Sequence, residues 1–173
     1  MNKGIHIPTA QSPEAEKVWE VLKQVTDPEI PVLTVTDMGI IRKVDVHDGM
    51  VEVTITPTYS GCPAMDMISV NIRLALIEAG YREIRIHTVL DPAWTTDWMT
   101  EEGKQKLRAY GIAPPAETTA RSRKLLFDDE VDVECPRCQS HNTRLLSQFG
   151  STACKALYQC NDCKEPFDYF KCH

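Results

Sequence analysis

Apolar residues along the first 110 positions repeat with two alternating periods. Some segments carry them every three or four positions, which is the period of an amphipathic helix. Others alternate apolar and polar residues, as half-buried strands do, and Asp48-Gly49 between two of them predicts a tight hairpin turn. The predicted elements, in order, are a helix from Pro13 capped by Ser12, strands at 40–46 and 51–55, a helix at 64–79, a strand at 81–90 and a helix at 100–110.

This order of elements predicts an α+β fold, in which a small mixed sheet carries helices packed against one face. The strand–helix–strand portion permits a parallel pairing of its two strands. Segment 113–133 combines Pro, Ala and Thr with an acidic run and predicts a linker. We therefore predict one domain at 13–112, the linker at 113–133, and a small β domain at 134–173.

The last quarter of the chain contains two Cys-x-x-Cys pairs separated by 21 residues. Each pair places two sulfurs on one tight turn, and the intervening residues suffice for a hairpin that returns the chain to a metal. We therefore predict a zinc ribbon. Four thiolates also accept iron, so the spacing leaves the identity of the metal open. The predicted ligands are Cys135, Cys138, Cys160 and Cys163.

Cys62 is the candidate for reactive chemistry outside the ribbon. It follows a predicted strand and stands at the start of the helix at 64–79, where free backbone N–H groups and the helix dipole favour a negative charge. Such a position favours the thiolate, which is the better nucleophile and metal ligand. A small cysteine packed under the helix explains the same residue about equally well.

Asp27, Glu29 and Asp37 are the carboxylate candidates for a site. Asp27-Pro28-Glu29 could instead simply end the first helix, and Asp37 could cap a turn. For any lone carboxylate we favour that structural interpretation.

The sequence contains no Gly-rich phosphate loop, Ser-centred elbow or His-x-x-x-His pair. We therefore expect a carrier rather than an oxidoreductase.

Cys154, Cys172 and His173 form a further candidate group. Cys154 lies six residues before Cys160, which is about 20 Å along an extended strand. Cys172 lies nine residues after Cys163 and can reach the same end of the ribbon, opposite the zinc. A second, weaker thiol-rich site could form there. Two unrelated thiols are the simpler explanation, and we favour it somewhat.

Composition and charge narrow the classes of function. The 173 residues carry a net charge of −6 without any block of Lys and Arg, which argues against a nucleic-acid partner. No segment reaches the apolar length of a membrane span, and the N-terminus lacks the layout of a secretion signal. We expect a cytoplasmic protein with reduced thiols that binds neither nucleic acid nor membrane.

Several short motifs, in their order along the chain, resemble the SufT-like metal–sulfur cluster assembly family. The ribbon motifs that follow extend the resemblance to a subset of that family that belongs to the phenylacetic acid degradation system. The resemblance covers nearly everything from Pro13 to His173. The motifs are Asp27-Pro28-Glu29, Asp37-Met38-Gly39-Ile40, 58–63, Pro92-Ala93-Trp94, 98–102, 149–155 and 166–170.

The resemblance implies an α+β domain that acts in iron–sulfur cluster assembly or transfer. It places the reactive cysteine at Cys62 and the acidic positions at Asp27, Glu29 and Asp37. It also implies the oxygenase and reductase subunits of the phenylacetyl-CoA 1,2-epoxidase as partners, a structural zinc, and a transient iron or iron–sulfur cluster. A stable structural subunit of the epoxidase is the alternative. An exposed edge strand could also support a homodimer.

Overall fold

The computed structural model describes residues 12–115 and 132–171. The Ser12 side chain accepts a hydrogen bond from the Ala15 backbone N–H (3.1 Å) and begins the first helix, as predicted. None of the described helices is both long and apolar enough to cross a membrane. The elements are α1 (Pro13–Leu22), β1 (Ile41–His47), β2 (Met50–Ile55), α2 (Ala64–Glu78), β3 (Glu83–Thr88), α3 (Glu101–Tyr110), β4 (Ile112–Ala113), β5 (Thr143–Ser147), β6 (Lys155–Cys160) and β7 (Pro166–Phe170), with a 3-10 turn at Thr96–Trp98.

The chain divides into two compact units, Met1–Gly103 and Lys104–His173. The first contains a three-stranded sheet in the order β1-β2-β3. Strands β1 and β2 pair antiparallel, and β2 and β3 pair parallel over their full lengths. The mixed sheet of the predicted α+β fold is therefore confirmed.

The core of the first unit consists of the sheet together with α1 and α2. Alternate residues of β2 are fully buried, as the period-two pattern predicts. Helix α2 buries Ile68, Ile72 and Leu76, which recur every four residues along one face. Each such side chain contributes about 1.5–3 kcal/mol when it leaves water. This packing fixes the start of α2, and hence the segment that carries Cys62.

The second unit contains a four-stranded sheet in the order β4-β7-β6-β5. Strands β5, β6 and β7 pair antiparallel, and Tyr158 of β6 stacks on Phe167 with a centroid distance of 6.1 Å. Strand β4 pairs parallel with β7, so Ile112 and Ala113 belong to the same sheet as the cysteine-rich hairpin. Ile112 is the last residue of the segment 13–112 that we predicted as the first domain, and Ala113 is the first residue of the predicted linker.

Candidate metal centre and cysteine site

The two Cys-x-x-Cys pairs fold into matching turns. In the first, the Cys135 backbone N–H donates to the Ser140 carbonyl (2.9 Å). In the second, the Cys160 N–H donates to the Glu165 carbonyl (2.9 Å). Four residues after the leading cysteine of each turn, the backbone adopts a left-handed conformation, with φ of 62° at Gln139 and 66° at Lys164. The repeated spacing in the sequence therefore corresponds to a repeated backbone geometry.

The turns bring four sulfur atoms together, with Cys135 and Cys160 buried and Cys138 and Cys163 exposed. The Sγ atoms of Cys135 and Cys163 lie 3.8 Å apart, those of Cys138 and Cys160 lie 3.6 Å apart, and all four lie within 4.8 Å of one another. A tetrahedral zinc with Zn–S bonds of about 2.3 Å requires sulfurs about 3.8 Å apart. The donor set therefore fits a four-coordinate metal ion.

The four thiols differ in their affinity for protons in the metal-free state. The backbone N–H of Cys163 donates toward the Cys160 sulfur and, with that of Asp162, lowers the pKa of Cys160 to about 7. The pKa of Cys138 is raised to about 12: the Ser140 backbone opposes the rise, but hydrogen bonds with the other three thiols and desolvation outweigh it. Metal binding must therefore displace protons from this cluster.

A network of side chains connects the two turns around the sulfurs. Ser140 and Asn142, which follow the first turn, both donate to the carboxylate of Asp162 in the second turn, at 2.5 and 2.8 Å. These two hydrogen bonds hold the pKa of Asp162 below its usual range. Arg137 pairs with Glu165 across the same gap. These side chains connect the two turns in addition to the cysteines and help to position the sulfur atoms.

Three loops meet at the end of the first unit's sheet, opposite the Asp48-Gly49 turn. One precedes β1, one follows β2, and one follows β3, and because β2 and β3 are parallel, both end at this edge. The Thr56 N–H donates to the Ile40 carbonyl (2.8 Å), and the Val89 N–H donates to the Ile55 carbonyl (2.9 Å). Asp37 lies four residues before β1, and Cys62 lies seven residues after β2. Both residues therefore belong to loops that leave this end of the sheet.

Cys62 lies in the turn that precedes α2. Its N–H donates to the Tyr59 carbonyl (3.3 Å), and its own carbonyl accepts from the Met65 N–H (3.2 Å). Pro63 occupies the cap position of α2 and supplies no side-chain hydrogen bond to the helix end. Cys62 as a whole residue is half-buried, so solvent reaches part of it and the helix does not seal it off.

Asp27 and Asp37 are both buried, with exposed fractions of 4% and 6%. A carboxylate oxygen of Asp27 accepts hydrogen bonds from the backbone N–H groups of Glu29 (2.8 Å) and Ile30 (2.7 Å). The Asp37 carboxylate accepts from the Thr34 N–H (3.0 Å) and the Thr100 hydroxyl (3.3 Å). These contacts account for the burial of both charges and agree with the turn-capping interpretation.

The loop that carries Asp37 is held in place by two tryptophans. The indole N–H of Trp94 donates to the Met38 carbonyl (2.9 Å). Gly39 has φ of +68° and lies so close to Trp98 that an added Cβ would be 2.1 Å from the Trp98 carbonyl oxygen. The Arg42 guanidinium covers the Trp98 ring at 3.6 Å. These contacts leave the Asp37 loop little room for alternative conformations.

Thr56 and Thr58 belong to the same end of the sheet and were missed by the sequence analysis. Both are buried. Among the described residues, Thr56 Oγ1 is the buried side-chain oxygen or nitrogen that lacks a hydrogen-bond partner. A buried hydroxyl left unpaired costs about 1–3 kcal/mol. The signal available in the sequence was the pair of polar residues continuing an apolar strand toward Cys62.

Cys154 lies in the second unit, at the start of β6, and is buried, with an exposed fraction of 6%. Its sulfur lies 3.0 Å from the Thr152 hydroxyl, and its carbonyl accepts from the Lys171 N–H. Cys172 and His173 lie outside the described residues. The thiol-rich site of Cys154, Cys172 and His173 therefore stays a prediction, as does the grouping of Cys62 with the three carboxylates.

Two protein families match parts of this chain. The PaaD zinc beta ribbon domain matches residues 119–171, and the iron–sulfur cluster assembly protein family matches residues 15–81. An Escherichia coli (strain K12) protein, whose provisional name makes it a component of the 1,2-phenylacetyl-CoA epoxidase, is 49% identical over 165 residues, which are 95% of this chain and 96% of that protein. The chain belongs to the PaaD family. The zinc ribbon and the cluster-assembly resemblance predicted from the sequence are confirmed.

The first unit of this PaaD-family chain also matches shorter proteins. The Fe-S protein maturation auxiliary factor of Porphyromonas gingivalis is 40% identical over 94 residues, covering 53% of this chain and 89% of that protein. A solved DUF59 domain of unknown function from Bacillus anthracis has a TM-score of 0.50 and 25% identity, covering 53% of this chain and 89% of that domain. This chain therefore combines a region similar to these smaller proteins with a zinc ribbon region.

Proposed function

We propose that this PaaD-family protein is an accessory factor that matures a metal centre of a phenylacetyl-CoA epoxidase, with Cys62 as the residue that transiently holds iron or an iron–sulfur cluster. The name of the E. coli relative supports the epoxidase, and the name of the P. gingivalis relative supports maturation. The oxygenase and reductase subunits are the partners in this proposal. Reduced thiols are required, which suits a cytoplasmic location.

The state of Cys62 is the observation that carries the proposal. Of the six cysteines that the structure describes, four converge on one metal centre and Cys154 is buried in the ribbon. Cys62 is half-buried and adjoins an uncapped helix start, and its loop leaves the same end of the sheet as the loop that carries Asp37. A thiol that must accept and release a soft metal needs access from solvent and a polar surrounding.

The carboxylates have supporting roles in this proposal. Asp27 and Asp37 hold the loop before β1 in place through backbone hydrogen bonds, and Glu29 flanks the site from the same turn. The ribbon holds a structural zinc through Cys135, Cys138, Cys160 and Cys163 and contacts the target protein. Zinc needs no redox chemistry and prefers closed four-thiolate sites, which suits a structural role.

Anaerobic iron–sulfide reconstitution of the zinc-loaded protein tests the role of Cys62. Preloading with zinc blocks the ribbon thiols from capturing iron. We expect the wild type to develop visible charge-transfer absorption and to bind iron, and Cys62→Ala to lose both. Ser60→Ala, an exposed change in the same loop, is the matched control and should bind iron as the wild type does. Equal iron binding by Cys62→Ala and the control would end the carrier role.

A stable structural subunit of the epoxidase is the second candidate. The observation in its favour is that the buried acids Asp27 and Asp37 already have backbone partners, as residues that maintain a fold do. Adding the protein to epoxidase components that already contain their full metal separates the two candidates. A maturation factor leaves the turnover of such components unchanged, whereas a structural subunit is needed for it at a fixed stoichiometry.

A further inference from the structure

Helix α2 has a second apolar face that is exposed among the described residues of its unit. Met67, Val70, Leu74 and Ile77 are exposed by 53%, 50%, 52% and 49%. They recur at spacings of three, four and three residues, so they form one stripe about 15 Å long. They are half of the eight large apolar side chains that the described residues leave exposed. We call these four residues the α2 stripe.

The α2 stripe is separate from the face of α2 that packs in the core. Ala64, Ile68, Ile72 and Leu76 already supply the core contacts of this helix. Apolar residues scattered singly over a surface are ordinary, but a contiguous stripe on one helix is characteristic of an interaction site. An amphipathic helix needs only one apolar face to fold onto a sheet, so the second face calls for an occupant.

Two charged residues beside the α2 stripe identify that occupant. Asp66 and Arg73 are both exposed and lie seven residues apart, which places them on the same flank of the helix, two turns from each other. When two copies of α2 pack antiparallel with Val70 opposite Val70, Met67 of each copy meets Leu74 of the other. The same register places Asp66 of each copy near Arg73 of the other, twice over by symmetry.

We propose that the α2 stripe is the contact surface of an antiparallel homodimer. The face is self-complementary, since one register satisfies both its apolar and its charged residues. Four half-exposed side chains per copy place the interface at the small end of specific contacts, below about 1,200 Å² in total. The dimer is therefore weak, with a dissociation constant on the order of 1–100 μM, and it depends on concentration.

This dimer fixes the relation between the two Cys62 residues, a consequence that rests on the proposed function. Cys62 precedes Val70 by eight residues, or about 12 Å along the helix axis. The antiparallel arrangement therefore separates the two thiols by about 24 Å. No single cluster can bridge them, so each copy presents its own cysteine to a separate target.

Sedimentation of the full-length zinc-loaded protein over a range of concentrations tests the dimer. We expect reversible self-association that Leu74→Asp weakens about tenfold or more. Leu146→Asp is the matched control, because Leu146 is exposed to a similar degree (46%) but lies on the ribbon strand β5. A wild type that stays monomeric up to several hundred micromolar overturns the proposal. So does a dimer that Leu74→Asp and Leu146→Asp weaken equally.

A charge exchange tests the register. Asp66→Arg and Arg73→Glu should each weaken self-association, because each leaves like charges facing across the interface. An equimolar mixture of the two variants should regain association as a heterodimer, since every Arg then faces an acid. Arg73 also donates to the Ile84 carbonyl (2.8 Å), so tryptophan fluorescence must first show that Arg73→Glu is folded. Asp66→Arg does not remove this hydrogen bond. If the mixture associates no more strongly than either variant alone, the proposed register is wrong.

Discussion

The role of Asp37 can be decided by comparing two substitutions. Asp37→Ala removes the acceptor of the Thr34 N–H and of the Thr100 hydroxyl, and it leaves the N–H in a buried turn. A hydrogen bond to a charged acceptor contributes about 1.5–3 kcal/mol, and the longer hydroxyl contact contributes about 0.5–1 kcal/mol. We therefore expect Asp37→Ala to lower the free energy of unfolding of the first unit by about 2–4 kcal/mol.

Asp37→Asn preserves the shape and one acceptor oxygen. With that oxygen toward the Thr34 N–H, the amide can donate to the Thr100 hydroxyl oxygen, which already accepts from the Gly103 N–H (2.9 Å) and has a second lone pair. The contacts with Thr34 and Thr100 are kept and lose their charge assistance, so the expected cost is about 1 kcal/mol. A residue that holds a loop should therefore tolerate Asn, whereas a metal ligand should lose its metal even though the fold survives.

The assay uses a spectroscopic property of the chain. All three tryptophans, Trp19, Trp94 and Trp98, lie in the first unit, so tryptophan fluorescence during urea unfolding reports that unit and not the ribbon. Iron–sulfide reconstitution is then measured on Asp37→Asn under conditions where it is fully folded. The scaffold role is refuted if Asp37→Ala changes stability by less than about 0.5 kcal/mol, a size typical of unremarkable surface substitutions. It is also refuted if a folded Asp37→Asn protein binds no iron.

Three further outcomes follow from the geometry. Gly39→Ala should destabilise the first unit by about 2–5 kcal/mol, because it adds a left-handed backbone penalty to a clash with Trp98. Gly49→Ala, at a turn with open space, should cost only about 1–2 kcal/mol. Equal urea midpoints for the two variants would contradict this expectation. Chelation of zinc should unfold the ribbon sheet, observed by near-ultraviolet circular dichroism of its tyrosines; an unchanged spectrum of the metal-free protein would be inconsistent with a metal-dependent fold. Zinc affinity should fall as the pH drops through about 7, because protons then compete with zinc for the Cys160 thiolate. A competition titration with a chelator measures this affinity. The same affinity at pH 8 and at pH 5.5 would count against the reasoning.

The elements that could be predicted from the sequence are those with long or repeated patterns. The helices and strands of the first unit have clear periods, and the ribbon ligands have a fixed spacing that the backbone repeats in both turns. The two-residue strand Ile112–Ala113 could not be predicted, because two residues show no period and its partner, β7, lies more than 50 positions later. Pairing at that distance depends on tertiary contacts alone.

The residues of the candidate site could be proposed from the sequence and stay a prediction, whereas their surroundings could not be proposed at all. The positions of Cys62, Asp27 and Asp37 could be chosen from local motifs, whereas their burial and hydrogen-bond partners depend on three loops that meet only in the folded sheet. The α2 stripe escaped notice because a helix with two apolar faces weakens the one-sided period on which sequence analysis depends. Thr56 escaped notice because a threonine after a strand is ordinary until its burial is known.

The left-handed residues in the two cysteine turns have a consequence for how the ribbon gains and loses its ion. Gln139 and Lys164 occupy a conformation that side-chain-bearing residues avoid at a cost of about 1–2 kcal/mol each. Glycine at both positions would remove that cost, so such a variant should empty more slowly in the presence of a chelator than the natural chain does. The native residues thus leave the folded turns less stable than the backbone allows, and an ion bound there should pass to a chelator more readily.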